Sequence, residues 1–154
     1  MQKVAKSLTS KVFNLREVSK NTTLVLLRDM MADQARDKNI LPYFMNSSTN
    51  IICCDGGINR LLYNEDHIQP NTMLLHCGDF DSVPHLVTDN EINRWGVIYK
   101  VKILNKDQDH SDLEKGLNYF LEERILSKFN PCNDIIVHGI TGSRFDHSMN
   151  NLSC

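Results

Sequence analysis

No apolar run in the 154 residues approaches the roughly 20 that a membrane helix needs, so no membrane role is expected. No basic run exceeds two residues and the formal net charge is -2. That argues against a nucleic-acid platform, although a folded surface could still gather scattered Lys and Arg. The five cysteines contain no C-x-x-C pair, which leaves zinc without its usual spacing. Their odd number and the lack of a secretory apolar segment point to a reducing compartment, and the expected location is the cytoplasm. Cys53, Cys54 and Cys77 lie in apolar runs and read as buried thiols. There is no internal repeat and no low-complexity segment. There is no G-x-x-x-x-G-K-[ST], so this is not a P-loop enzyme. No strong serine or cysteine nucleophile motif stands out either.

What remains is the composition of one soluble globular domain, 41% hydrophobic and 23% charged, long enough for a sizeable core. Residues 1–20 carry Lys3, Lys6, Lys11, Arg16 and Lys20 against a single acid, Glu17. They read as a solvated N-terminal extension, with a mitochondrial-type presequence as the alternative. The expected division is an extension over 1–22 and one domain over 23–154.

Apolar runs of strand length recur at 23–27, 50–54, 72–77, 97–104 and 134–138. Between them, 28–39 reads as a loop or ragged helix, and Pro42 as the first turn of a short helix through Met45. Residues 58–63 and 84–95 also read as helical. The clearest helix starts at Ser111, where Ser111-Asp112-Leu113-Glu114 has the form of a capping box. Leu113, Leu117, Phe120, Leu121 and Ile125 follow at helical spacing as a core face, and Asn130-Pro131 ends the helix. A glycine-rich turn opens at Gly139, and a further helix is expected from Phe145. Strands alternating with helices predict an α/β fold, a mostly parallel sheet with helices on both faces. In such sheets ligands sit beyond the carboxyl ends of the strands, near a reversal of strand order.

The polar motifs all follow expected strands. Gly78-Asp79-Phe80-Asp81-Ser82 is the one around which the chain is organised. If its backbone stays extended, Asp79 and Asp81 project to one side and Phe80 to the other. Two adjacent carboxylates repel unless a cation lies between them. Asp107-Gln108-Asp109-His110-Ser111-Asp112 supplies more acid, and oxygen-only ligands suit Mg2+ before Zn2+. Any one of these acids could instead cap a helix or face water, and Asp112 suits a helix start whatever its function. Asp55-Gly56-Gly57 is a tight turn whose amides can approach an anion, although most such turns are only turns. Arg144 can clamp phosphate bidentately or simply pair with Asp146. His110 and His147 could donate to phosphate or merely pack. Chemistry alone reaches Mg2+-dependent handling of a nucleotide or other polyphosphate.

Four stretches together resemble the thiamin pyrophosphokinase family: 55–61 (Asp-Gly-Gly-Ile-Asn-Arg-Leu), 78–82, 107–112 and 142–147 (Gly-Ser-Arg-Phe-Asp-His). The resemblance covers about 23–154. It implies a Rossmann-like domain, Mg2+, a homodimer, and transfer of a diphosphate from ATP to the thiamine hydroxyl, giving thiamine diphosphate and AMP. It further implies Asp79, Asp81 and Asp112 as metal ligands, with Arg144 beside them as the fourth catalytic residue. Asp55, Gly56, Gly57, Asn59, Asp107, Gln108, Asp109, Gly142, Ser143, Arg144 and Asp146 would line the nucleotide cleft. The family's second, all-β domain is largely missing from a sequence that stops at Cys154. The expectation is therefore weak Mg2+-ATP binding and very slow or no turnover of thiamine. The alternatives are an inactive ATP-binding or dimer-forming module, or a phosphohydrolase using the Asp-x-Asp pair.

Overall fold

Five apolar segments pair into one wholly parallel sheet in the computed structural model, which describes residues 21–27, 34–81, 88–97, 99–125, 128–132 and 134–139. In chain order they are β1 (Thr22–Leu26), β2 (Ser48–Cys54), β3 (Met73–Gly78), β4 (Tyr99–Leu104) and β5 (Asp134–His138). The spatial order is β4-β3-β2-β1-β5. Register pairs include Leu24 with both Ile51 and Ile136, and Cys54 with Cys77. The helices are α1 (Gln34–Ser47), α2 (Ile58–Leu62), α3 (Asp89–Arg94) and α4 (Asp112–Ile125), and a 3-10 turn, Asp55–Gly57, joins β2 to α2.

The central strands are buried along nearly their whole length because both faces of the sheet are covered, and they carry the apolar runs Leu24–Leu26, Ile51–Cys54 and Met73–Leu75. Leu24, Leu26 and Ile51 point into a core closed by α1, α2 and α3, through residues such as Leu41, Ile58 and Ile92. Val25, Ile52 and Leu75 point the other way, against Leu113 and Phe120 of α4. Cys53 and Cys54 follow this alternation, one to each side, and both are buried with Cys77, as the sequence suggested.

Local expectations shift where tertiary packing competes with them. Pro42 is interior to α1 rather than in a first turn, and part of the stretch read as loop or ragged helix belongs to this helix. Proline removes one helical hydrogen bond. The burial of Leu41, Phe44 and Met45 on the sheet, with Asp37 held at the helix start, offsets that loss. Helix α3 begins at Asp89, where Thr88 is extended and forms a capping box with Glu91; residues 84–87 of the expected helix lie outside the described residues. In α4, Ser111 Oγ accepts the Glu114 amide at 3.1 Å, as the cap predicted. Leu121, however, is 48% exposed. At about 100° per residue it sits roughly 80° from Leu113, beyond the stripe that buries Leu113 and Phe120.

Candidate active site

The carboxyl ends of β2, β3 and β4 lie side by side, and each carries a polar loop. After β2, Asp55 turns the chain with a left-handed backbone, φ 47°, and is itself buried. Gly56 and Gly57 are buried in the same turn. A Cβ on Gly57 would lie 2.1 Å from the Leu26 carbonyl oxygen, so this turn needs glycine to press against β1. Asn59 follows in α2, 1% exposed, and neither of its amide atoms has a hydrogen-bond partner among the described residues.

After β3, Gly78 has φ 143°, and a Cβ there would come within 3.0 Å of the Asp55 Cα and Cβ. Glycine thus lets the second loop approach the first. The extended backbone expected for Asp79-Phe80-Asp81 is not what forms. Phe80 takes a left-handed φ of 63°, and Asp79 Oδ1 accepts the Asp81 amide at 3.3 Å. The two carboxylates still converge, through a turn rather than through strand alternation. Carboxylate oxygens of Asp55, Asp79 and Asp81 all lie within 4.8 Å of one another. Ligand oxygens about 2.1 Å from Mg2+ are about 3–4.2 Å apart, so this spacing fits one hard divalent cation.

After β4, the Asn105 amide donates to the Gly78 carbonyl at 2.8 Å, which ties the third loop to the second. Gln108 Nε2 then donates to Asp79 Oδ2 at 3.2 Å. Burial works to raise the Asp79 carboxyl pKa, but the Asp81 amide, Gln108, the Asp81 side chain and the Lys115 cation together hold it below the usual carboxylate value. The rest of this loop is held from within: Asp107 accepts the Asp109 amide at 2.8 Å and contacts His110 Nδ1 at 2.5 Å. These two contacts, the Asp109 amide first, lower the Asp107 pKa, and Asp107 in turn raises that of His110.

Asp112 opens α4 and accepts from Lys115 Nζ at 3.3 Å; among the described residues it is not one of the three grouped carboxylates. Lys115 is buried, and its charge is felt by both Asp79 and Asp107. Sequence reading passed over it, although the Asp112–Lys115 spacing of three on a helix is a signal for such a pair. It also passed over His76, 6% exposed on β3, whose Nε2 lies 3.0 Å from the Asp55 carbonyl oxygen. Burial first, against the pull of that carbonyl and with help from Lys102 and Lys100, brings the imidazole from 6.5 down to about 4.

A second polar centre lies at the reversal of strand order, between β1 and β5. Buried Arg60 pairs with Asp37 and donates from Nε to the Leu27 carbonyl at 2.9 Å. His138 Nε2 is 2.7 Å from the other Asp37 oxygen. The three acids that group together lie over β2 and β3 instead, displaced from this reversal. Gly142, Ser143, Arg144 and Asp146 lie outside the described residues, as do Ser82 and His147.

Residues 41–154 match the family model of the thiamin pyrophosphokinase catalytic domain. Over 109 residues the chain is 30% identical to thiamin pyrophosphokinase 1 of Caenorhabditis elegans, a match covering 70% of this chain and 40% of that protein. Over 113 residues it is 33% identical to thiamine pyrophosphokinase 2 of Arabidopsis thaliana, covering 66% and 40% respectively. The chain thus spans about 40% of the length of these curated relatives. The structure of a thiamin pyrophosphokinase from Candida albicans superposes with a TM-score of 0.51 at 18% identity, covering 86% of this chain and 52% of that one. That likeness shows the shared α/β fold.

Proposed function

Because the chain belongs to the thiamin pyrophosphokinase family, we propose that it carries the ATP- and metal-handling site of a thiamine diphosphokinase. The reaction is transfer of a diphosphate from ATP to the thiamine hydroxyl, giving thiamine diphosphate and AMP. The observation that best supports this reading is the meeting of Asp55, Asp79, Asp81 and Gln108 beyond three adjacent parallel strands.

A divalent cation such as Mg2+, when bound by Asp55, Asp79 and Asp81, supplies charge neutralisation for the phosphates. The chain's own contribution is binding and orientation. Asp79, with its lowered pKa, stays ionised at neutral pH, and Gln108 fixes the direction of its carboxylate. Lys115 keeps a positive charge beside Asp79, Asp107 and Asp112. The buried Asn59 amide offers a donor and an acceptor to the nucleotide. Arg144, in the fourth motif, is assigned to clamp phosphate and to stabilise its charge during transfer. No protein nucleophile is needed: the thiamine hydroxyl attacks the β-phosphorus in line, so rate depends on placement, where about 1 Å of error can cost 10²-fold. A homodimer and a cytoplasmic location belong to the same reading.

Calorimetry of the 154-residue chain with ATP, with and without Mg2+, and chromatography of thiamine diphosphate and AMP, test it. Mg2+-dependent ATP binding with thiamine-dependent AMP release is the expected result. Binding without AMP release favours a nucleotide-binding or dimer-forming module. Phosphate release without thiamine favours a phosphohydrolase, and the absence of ATP binding overturns the reading.

A further inference from the structure

Two non-glycine residues among the described residues of the site have left-handed backbones, Asp55 and Phe80, and both touch one side chain, His76. Residues with a Cβ adopt that conformation seldom, and it persists where the surroundings hold it. The His76 Nε2 lies 3.0 Å from the Asp55 carbonyl oxygen. A carbonyl only accepts, so Nε2 carries the proton and donates. The ring of His76 also meets the ring of Phe80, with centroids 4.5 Å apart and planes tilted by 49°. Lys102, the register partner of His76 on β4, places Nζ 5.1 Å from the Phe80 centroid. Phe80 is therefore gripped between β3 and β4, and it is the residue that separates Asp79 from Asp81. His76 stands two residues before Gly78, whose lack of a Cβ leaves room for Asp55.

We infer that His76 is the positioning residue of the three-carboxylate cluster: its N–H fixes the Asp55 main chain, and its ring seats Phe80 so that Asp79 and Asp81 face Asp55. The inference rests on the reading of that cluster as a divalent-cation site. It assigns to a buried strand residue, outside all four motifs, the alignment of two loops that are 24 residues apart in sequence (55 to 79).

The test uses Mn2+ as a spectroscopic probe, titrated into the full chain and followed by electron paramagnetic resonance, with thermal melts run in parallel. His76→Phe keeps a ring and removes the donor; His76→Gln keeps a donor near the Nε2 position. In metal sites, loss of an outer partner that orients a ligand weakens affinity about 10–100-fold. His76→Phe is expected to weaken Mn2+ binding by at least about tenfold at a temperature where it remains folded, and His76→Gln to restore much of that loss. A residue that only fills the core would lower the melting temperature and leave Mn2+ affinity unchanged. Parent-like Mn2+ affinity in folded His76→Phe overturns the inference while leaving the cation site standing. Failure of the parent chain to bind Mn2+ overturns the cation reading and the inference with it. Should His76→Phe not fold, Phe80→Asn carries the test, since asparagine tolerates the left-handed backbone while keeping a Cβ, and the ring that His76 seats is lost. Parent-like affinity there overturns the inference, and a loss of about tenfold supports it.

Discussion

Gln108 Nε2 donates to Asp79 Oδ2 at 3.2 Å, and this bond joins the loop after β4 to the loop after β3. It is one of the contacts that hold the Asp79 pKa down. Gln108→Ala should let that pKa rise and weaken Mg2+-ATP binding by only a few-fold, because the bond is solvent-exposed and water takes its place in the variant. Carbon-13 titration of the Asp79 carboxyl, with calorimetry, reads both effects. An unchanged titration would show that the bond contributes nothing in solution.

Asp81→Asn removes a charged oxygen while keeping shape. With three carboxylates spaced for one cation, it should weaken Mg2+-ATP binding and leave stability within about 0.5 kcal/mol, since Asp81 is exposed. Calorimetric affinity equal to that of the parent would remove Asp81 from the ligand set.

At the start of α4, capping and ligand binding separate by residue. Ser111→Ala loses the bond to the Glu114 amide and should cost about 0.5–2 kcal/mol of stability with ligand binding intact. Asp112→Asn leaves the buried Lys115 cation to Asp79 and Asp107 and should reduce Mg2+-ATP affinity through them, at a stability cost beyond the dipole loss of about 0.3–1 kcal/mol. Denaturant melts and calorimetry on both variants would exchange these roles if the pattern came out reversed.

Gly78→Ala places a Cβ within 3.0 Å of Asp55 at a φ that side chains avoid. A strained backbone of this kind costs about 1–3 kcal/mol, and relief by moving Asp55 should also disperse the carboxylate cluster. The expected outcome is a lowered melting temperature together with loss of Mn2+ binding. Loss of stability alone would mean that Asp55 holds its place and the strain is absorbed elsewhere.

Buried Asp37 should contribute to the acid limit of stability. Burial works to raise its pKa, but the His138 hydrogen bond and the Arg60 charge carry the balance below the usual carboxylate value. Its folded pKa is thus lower than its unfolded one. The stabilisation is complete above about pH 4–5 and is lost as pH falls through the folded value. Asp37→Asn should flatten that acid limb in denaturant melts taken across pH. At neutral pH it should cost about 3–5 kcal/mol, because Arg60 is left buried without its anion. An acid limb as steep as the parent's would assign the titration to other carboxylates.

Much of this architecture is legible in the residues alone. Strands buried on both faces are rich in apolar residues, so β1, β2 and β3 show as the runs Leu24–Leu26, Ile51–Cys54 and Met73–Leu75, and a parallel sheet needs helices between them. Ser111 and Glu114 announce the start of α4 because capping is a local bargain between neighbours. The acidic motifs are visible because each occupies a few consecutive positions. Left-handed Phe80, interior Pro42 and exposed Leu121 are not visible in that way: each yields a local preference to contacts made elsewhere. The sequence determined which residues carry charge beyond the strands. Only the strand order β4-β3-β2-β1-β5 decided which of them meet. Asp55, Asp79 and Gln108 come together because β2, β3 and β4 are neighbours in the sheet, and that adjacency depends on pairings between distant segments, which no local periodicity encodes.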